Sequence, residues 1–228
     1  RQPDRVPYDQ SSRSSAIEQQ AYDDLKRFLG LKTPTTCFLR AHADIEEPVH
    51  RLLGIDTRFI RYMPPESWHR DGQDDLFVDP WRVPWRRRGG SYYYELDGNP
   101  LAGIEYDEIL RARWAPLVSK EMSIVLRQRA KSAHQTTDDA LFSDQIGAGL
   151  FERAWYLRGF EQFLVDLMLE KAAVHRFMER LLEHQMQGFA ELFEAVGPYV
   201  EGVLLTDDLA TQDSLIVSRD LYREMIFP

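Results

Sequence analysis

Residues 171–196 place Val174, Phe177, Met178, Leu181, Leu182, Phe189, Leu192, Phe193 and Val196 along one helical face, and Gly197-Pro198 ends the run. The apolar segment 200–205 follows at once and closes on Thr206-Asp207-Asp208. A strand this dense in apolar side chains needs cover on both faces, which a parallel sheet flanked by helices provides. No other feature narrows the fold as far. Strand-like segments upstream, at 6–9, 57–62 and 139–143, alternate with helical ones in the same way.

The helical segments have recognisable ends. Ser15-Ala16-Ile17-Glu18 has the Ser-x-x-Glu form of a capping box, and Ile17, Ala21, Leu25, Phe28 and Leu29 share a face up to Gly30. A second helix is expected from Asp44, with Glu47 three residues on, carrying Val49, Leu52 and Leu53 to Gly54. Pro64-Pro65 breaks the strand begun at Thr57. Helical periodicity returns at 106–113 and 119–133, then over 150–170 in two pieces meeting at Gly159, and Ser218 can cap a last helix to Ile226. Between 76 and 96, aromatic runs flanking Arg88-Gly89-Gly90 read as a β-hairpin. About four strand–helix units are present, whereas a (β/α)8 TIM barrel typically takes roughly 250 residues. The expectation is a single domain, 1–228, forming the amino-terminal part of such a barrel with a β-hairpin insertion, incomplete at its C-terminus.

The formal net charge of -9 repels polyanions and argues against a nucleic-acid partner. Arg82 and Arg86-Arg87-Arg88, set among Trp81, Trp85 and Tyr92-Tyr93-Tyr94, read as solvated charges over stacked aromatics on that hairpin. No apolar run approaches the ~18 residues of a membrane span, and the polar opening lacks a signal peptide's apolar stretch. Cys37 is the only cysteine, so no disulfide framework or multi-cysteine zinc site forms within the chain, and a cytoplasmic setting is the default. It reads as a buried structural thiol.

In a parallel α/β fold, ligands gather at the carboxyl ends of strands, here at 10–14, Arg61, 144–149 and 206–212. Asp207 and Asp208 are the leading catalytic candidates, since a carboxylate there can stabilise a cation, act as a base or hold a metal. The bland reading has both capping backbone groups of Thr211 and Gln212. Gln212 can orient a substrate through its amide, and Glu152 opens a helix after the small-residue loop Gly147-Ala148-Gly149. Arg13, beside Ser12 in a serine-rich turn, can pair with a substrate carboxylate. Arg158 reads as an internal ion-pair former. His175 and His184, beside charged residues, read as solvated, and the six histidines form no metal-ligand pattern.

Gln2-Pro3-Asp4-Arg5-Val6-Pro7-Tyr8-Asp9, Leu53-Gly54-Ile55-Asp56, Asp79-Pro80-Trp81-Arg82-Val83-Pro84-Trp85, Gly89-Gly90-Ser91-Tyr92-Tyr93, Phe151-Glu152-Arg153-Ala154-Trp155, Leu157-Arg158-Gly159-Phe160-Glu161 and Asp207-Asp208-Leu209-Ala210-Thr211-Gln212 occur in this order. Together they resemble the uroporphyrinogen decarboxylase superfamily, nearest to its cobalamin-linked methyltransferases and O-demethylases. The resemblance implies a (β/α)8 barrel enzyme acting on a small molecule, with Asp207 and Asp208 catalytic and Arg13, Ser12, Gln212 and Glu152 contacting substrate. It also implies zinc acting as Lewis acid, with ligands beyond Pro228, and a corrinoid carried by a partner protein. True decarboxylases carry Arg-Gln-Ala-Gly-Arg after the first strand, where Gln10-Ser11-Ser12-Arg13-Ser14-Ser15 stands here. The alternatives are cofactor-free decarboxylation of a porphyrinogen or related acid, and a noncatalytic barrel acting as an interaction partner. The chain alone is expected to be inactive and to self-associate, for example as a homodimer, through an open strand edge.

Overall fold

The computed structural model describes residues 5–12, 14–39, 42–62, 76–89, 91, 93–147 and 149–227. Among them the chain is mixed α/β. In chain order the elements are α1 (Gln19–Phe28), β1 (Cys37–Leu39), β2 (His42–Ala43), α2 (Glu47–Leu53), β3 (Thr57–Ile60), β4 (Leu76–Val78), β5 (Pro84–Arg86) and β6 (Glu95–Leu96). The remainder are α3 (Tyr106–Arg111), α4 (Lys120–Thr136), β7 (Ala140–Ser143), α5 (Leu150–Arg158), α6 (Phe160–Leu169), α7 (Lys171–Val196), β8 (Gly202–Val203) and α8 (Arg219–Met225).

The expected parallel sheet is present with three strands in the order β3-β7-β8. Thr57 pairs with Ala140 through to Ile60 with Ser143, and Phe142 and Ser143 pair with Gly202 and Val203. The aromatic insertion is antiparallel, in the order β4-β5-β6. Its β5–β6 pair is the expected hairpin, while β4 adds a strand through a tight turn in which Arg82 takes a positive φ of 66°. Trp81, Trp85 and Tyr94 are core residues there, and Arg86 pairs with Asp97 at 2.8 Å.

The principal core is built around α7, whose Val174, Phe177, Leu181, Leu192 and Val196 are buried with Phe151, Phe163 and Leu126. A smaller cluster of Tyr22, Ala43, Ile45, Val49 and Ile55 lies where α1 and α2 meet. Gly159, at φ 98°, joins α5 to α6 where expected, and Gly54 closes α2 in the left-handed conformation. Ser218 and Ser119 accept the N–H groups of Leu221 and Met122 as N-caps.

Several expectations need correction. Residues 6–9 form no strand; Tyr8 instead accepts the N–H of Asp56 just ahead of β3. The capping box is not made, because Glu18 is the N-cap residue of α1 and makes no side-chain capping bond, while the Ser15 hydroxyl donates to Asp9 at 2.9 Å. β8 spans two residues of the predicted 200–205. Cys37 is half-buried in β1 rather than a core thiol. On α7, Leu182 and Phe193 leave the buried stripe and are exposed with Met186. Pro64, Pro65, Gly90 and Tyr92 lie outside the described residues. Among the described residues no helix is long and apolar enough to cross a membrane.

Candidate functional site

Because β3, β7 and β8 run parallel, residues 61, 144–145 and 204–208 leave the sheet at one edge. Arg61 follows β3, and its guanidinium is held there. Its Nη2 donates to the Ser11 carbonyl at 2.6 Å, its Nε to Asp44 at 3.2 Å and its Nη1 to Asp144 at 3.3 Å. Gln145 follows β7 and makes a reciprocal pair with Thr206 after β8. Its amide nitrogen donates to the threonine hydroxyl, and its oxygen accepts the Thr206 N–H, both at 2.7 Å.

One step further, Asp207 turns back to the start of α5. Its two oxygens accept the N–H groups of Phe151 at 2.9 Å and Glu152 at 2.8 Å, satisfying two of the donors that a helix start leaves unpaired. Burial pushes the Asp207 carboxyl up, against the hydrogen bonds from Glu152, Phe151 and Asp208 and reinforced by the charge of Asp208. The loop is built to admit it, since a Cβ on Gly149 would fall 2.2 Å from the Asp207 carboxyl carbon. The Asp208 side chain is exposed and has no hydrogen-bond or ion-pair partner among the described residues.

Glu152 is half-buried in the first turn of α5 and accepts a hydrogen bond from the Tyr156 hydroxyl one turn on. Burial raises its pKa; Tyr156 opposes the shift and the charges of Asp208 and Asp207 add to it. The rim therefore holds a carboxyl biased toward its protonated form beside an exposed carboxylate. That arrangement can deliver a proton to a leaving group or take one up.

The structure thus brings together Glu152, Asp207 and Asp208. The backbone that Asp207 caps is that of α5, not of Thr211 and Gln212. Ser12 belongs to a second cluster beside Arg61: its N–H donates to Asp9 at 3.3 Å, and its hydroxyl and that of Ser15 lie 2.7 Å apart. Asp9 also accepts from Ser11 N–H at 2.9 Å and the Thr57 hydroxyl at 2.6 Å, while the Ser11 hydroxyl meets His50 Nε2 at 2.6 Å. Arg13 and Ala148 lie outside the described residues. Gln212 is at the exposed tip of a turn closed by Thr211 N–H to Ser214 O at 2.7 Å, and the rim side chains do not include it.

An apolar groove of about 620 Å³ opens from this rim between α7 and β8. Leu182, Met186, Phe189 and Phe193 form one wall, Val203 and Leu205 the other, and Gln145, Thr206 and Asp207 its polar end. His184 faces the opposite way and is half-buried rather than fully solvated: its ring packs edge-on against Trp81 and Trp114, both at 5.2 Å. Burial and Arg180 hold its pKa below the ordinary value. In the sequence Gln145 is marked only by its place in the 144–149 stretch after a strand, and Tyr156 is not singled out. Only the four-residue spacing from Glu152 to Tyr156 signals the latter.

Among the described residues no group of three or more His, Cys, Asp and Glu side chains is gathered as a metal site, the rim carboxylates included. Comparison with protein-family models, with curated proteins and with solved structures finds no match for this chain.

Proposed function

We propose that this chain is part of a uroporphyrinogen decarboxylase-like (β/α)8 barrel enzyme that removes a methyl group from an oxygen of a small substrate and passes it to a corrinoid on a partner protein. The observation that carries the reading is the convergence of Glu152, Asp207 and Asp208 at the carboxyl edge of the parallel sheet. The ordered motifs that resemble that superfamily's support it. When bound, the corrinoid supplies the centre that takes the methyl group. Zinc finds no three-residue site among the described residues.

The chain's own part is to hold the substrate and move one proton. As the carbon–oxygen bond breaks, its electron pair stays on oxygen, and Glu152 in its protonated form gives that oxygen its proton. The carboxylate left behind keeps the hydrogen bond from Tyr156. Asp208 adds charge that favours the protonated form before transfer, and Asp207 positions Glu152 by fixing the first turn of α5. The groove beside the rim receives the apolar body of the substrate.

Protein carrying this chain, mixed with cob(I)alamin and a panel of methylated phenols, is expected to form methylcobalamin, followed by absorbance. Glu152→Gln is expected to slow it by about 100-fold, the scale of a lost general acid. Formation at the same rate without the protein, or carbon dioxide released from uroporphyrinogen in place of methyl transfer, would refute the reading.

A further inference from the structure

Asp79, at the end of β4, organises a cluster that the rim chemistry above does not use. Its Oδ1 accepts the N–H groups of Trp81 at 2.9 Å and Val83 at 3.0 Å. Its Oδ2 accepts Arg153 Nη1 at 2.7 Å and Trp85 Nε1 at 3.3 Å. Trp81 and Arg153 are thereby fixed against each other, the guanidinium lying 5.1 Å from the indole centroid. Both are deeply buried, at 7% and 3% exposure.

Within this rigid cluster, Trp81 Nε1 and Arg153 Nε are buried and have no hydrogen-bond partner. Buried N–H donors are almost always paired, so two in one cluster call for an explanation. Their neighbour Gly147 supplies the direction. A Cβ placed there would lie 2.7 Å from Arg153 Nη2 and 2.8 Å from Trp81 Nε1, so the two side chains converge on one point. Gly147 has a φ of 84°, which favours glycine on its own account, and the missing side chain lets both nitrogens close on its backbone. The position lies just after β7, at the same edge of the sheet as Asp144 and Gln145, and Arg153 adjoins Glu152 on α5.

We propose that Trp81 Nε1–H and Arg153 Nε–H, with Nη2 beside them, bind the carboxylate of a small organic acid next to Gly147. A guanidinium edge and an indole N–H are donors only, so the group they take must be an acceptor. A carboxylate offers two oxygens to such a set, and hydrogen bonds between ionised partners are the strong ones. Asp79 already balances the charge of Arg153, and Asp207 and Asp208 stand at the same rim, which disfavours a doubly charged phosphate. The assignment rests on the two donors and is independent of the reaction proposed above.

The test is an NMR titration of indole N–H resonances in protein labelled with 15N-tryptophan, which has five tryptophans in all. Trp81→Phe identifies the Trp81 peak. Acetate and benzoate are expected to move that peak saturably, while benzamide, which has the same shape without the charge, leaves it in place. Arg153→Gln is expected to weaken benzoate binding by about tenfold or more, as befits a lost charge-assisted hydrogen bond. No saturable shift, an equal shift with benzamide, or unchanged affinity in Arg153→Gln would overturn the proposal. An equal response to inorganic phosphate would overturn the choice of a carboxylate. If Arg153→Gln fails to fold, the contrast between benzoate and benzamide in the unaltered protein decides the matter.

Discussion

Asp166→Ala is expected to destabilise the protein by about 3–5 kcal/mol at neutral pH, the range for breaking a buried ion pair by removing one partner. Asp166 and Arg158 are 3% and 7% exposed and lie 2.8 Å apart across the α5–α6 joint. Asp166 also accepts from the Tyr106 hydroxyl at 2.7 Å and Gln162 Nε2 at 2.7 Å, and Arg158 Nη1 donates to Leu101 O at 3.0 Å. Truncating Asp166 leaves a buried guanidinium without its counter-ion, and that uncompensated charge is the larger part of the loss. Against a domain stability of about 5–15 kcal/mol, the change is easily read from urea denaturation followed by circular dichroism. Burial pulls the Asp166 pKa up, but the hydrogen bonds from Tyr106, Arg158 and Gln162 outweigh it and hold the group below its ordinary 3.8. Its stabilisation is therefore present above that value and lost as pH falls through the folded pKa, so the gap between the two proteins should narrow in acid. Adding Arg158→Met to Asp166→Ala should recover part of the stability by removing the stranded charge. A loss below about 1 kcal/mol, or a double variant weaker than the single one by the full cost of Arg158→Met, would refute the reasoning.

Two further outcomes are expected. Burial, with the nearby charge of Arg58, lowers the His50 pKa from 6.5 to about 4, so the unfolded chain takes up a proton that the folded one refuses. Stability should fall as pH drops from about 6.5 toward 4, by at most about 3 kcal/mol, and His50→Gln should flatten that slope in urea midpoints measured across the window. The exposed Leu182, Met186, Phe193 and Leu205 flank the outer edge of β8, and sedimentation velocity should show concentration-dependent association that Leu182→Lys with Met186→Lys reduces.

The elements that sequence made legible are those whose signals are local. α7 runs from Lys171 to Val196 because its apolar spacing and the Gly197-Pro198 stop act within a few turns, and the joint at Gly159 is marked by the glycine itself. Arg158 was readable as an ion-pair former because its partner is eight residues away on the next helix. Signals failed where a distant group competes for the same atom. The Ser15 hydroxyl would cap α1, but Asp9 takes it, and Asp9 is held in turn by Thr57 across 48 residues. Pairing of β8 with β7 ends at Leu204, whose N–H still reaches Ser143 O, because Thr206 N–H goes instead to the Gln145 side chain. His184 looked solvated from its charged neighbours in sequence, yet the rings that enclose it come from the β4–β5 turn and the segment before α4. The acid pair after β8 was visible from its place behind a strand. Its attachment to α5 was not, since Asp207 and Glu152 are 55 residues apart.

That attachment changes what a functional reading of Asp207 can mean. Each of its oxygens accepts one N–H from α5, and a carboxylate oxygen has room for a second donor, so capping α5 does not by itself remove Asp207 from contact with a ligand. It does prevent Asp207 from moving alone. Gly149 packs against it with no space for a side chain, and the N–H groups it holds belong to Phe151 and to Glu152, the residue with the raised pKa. Phe151 is fully buried in the principal core, so the cap is anchored on the side away from the rim. A ligand that pulled on Asp207 would have to strain the first turn of α5 and carry Glu152 and Arg153 with it. Structural and catalytic roles at this rim are therefore properties of one rigid unit: the carboxylate that fixes the helix start also sets where the proton of Glu152 and the N–H groups of Arg153 are offered.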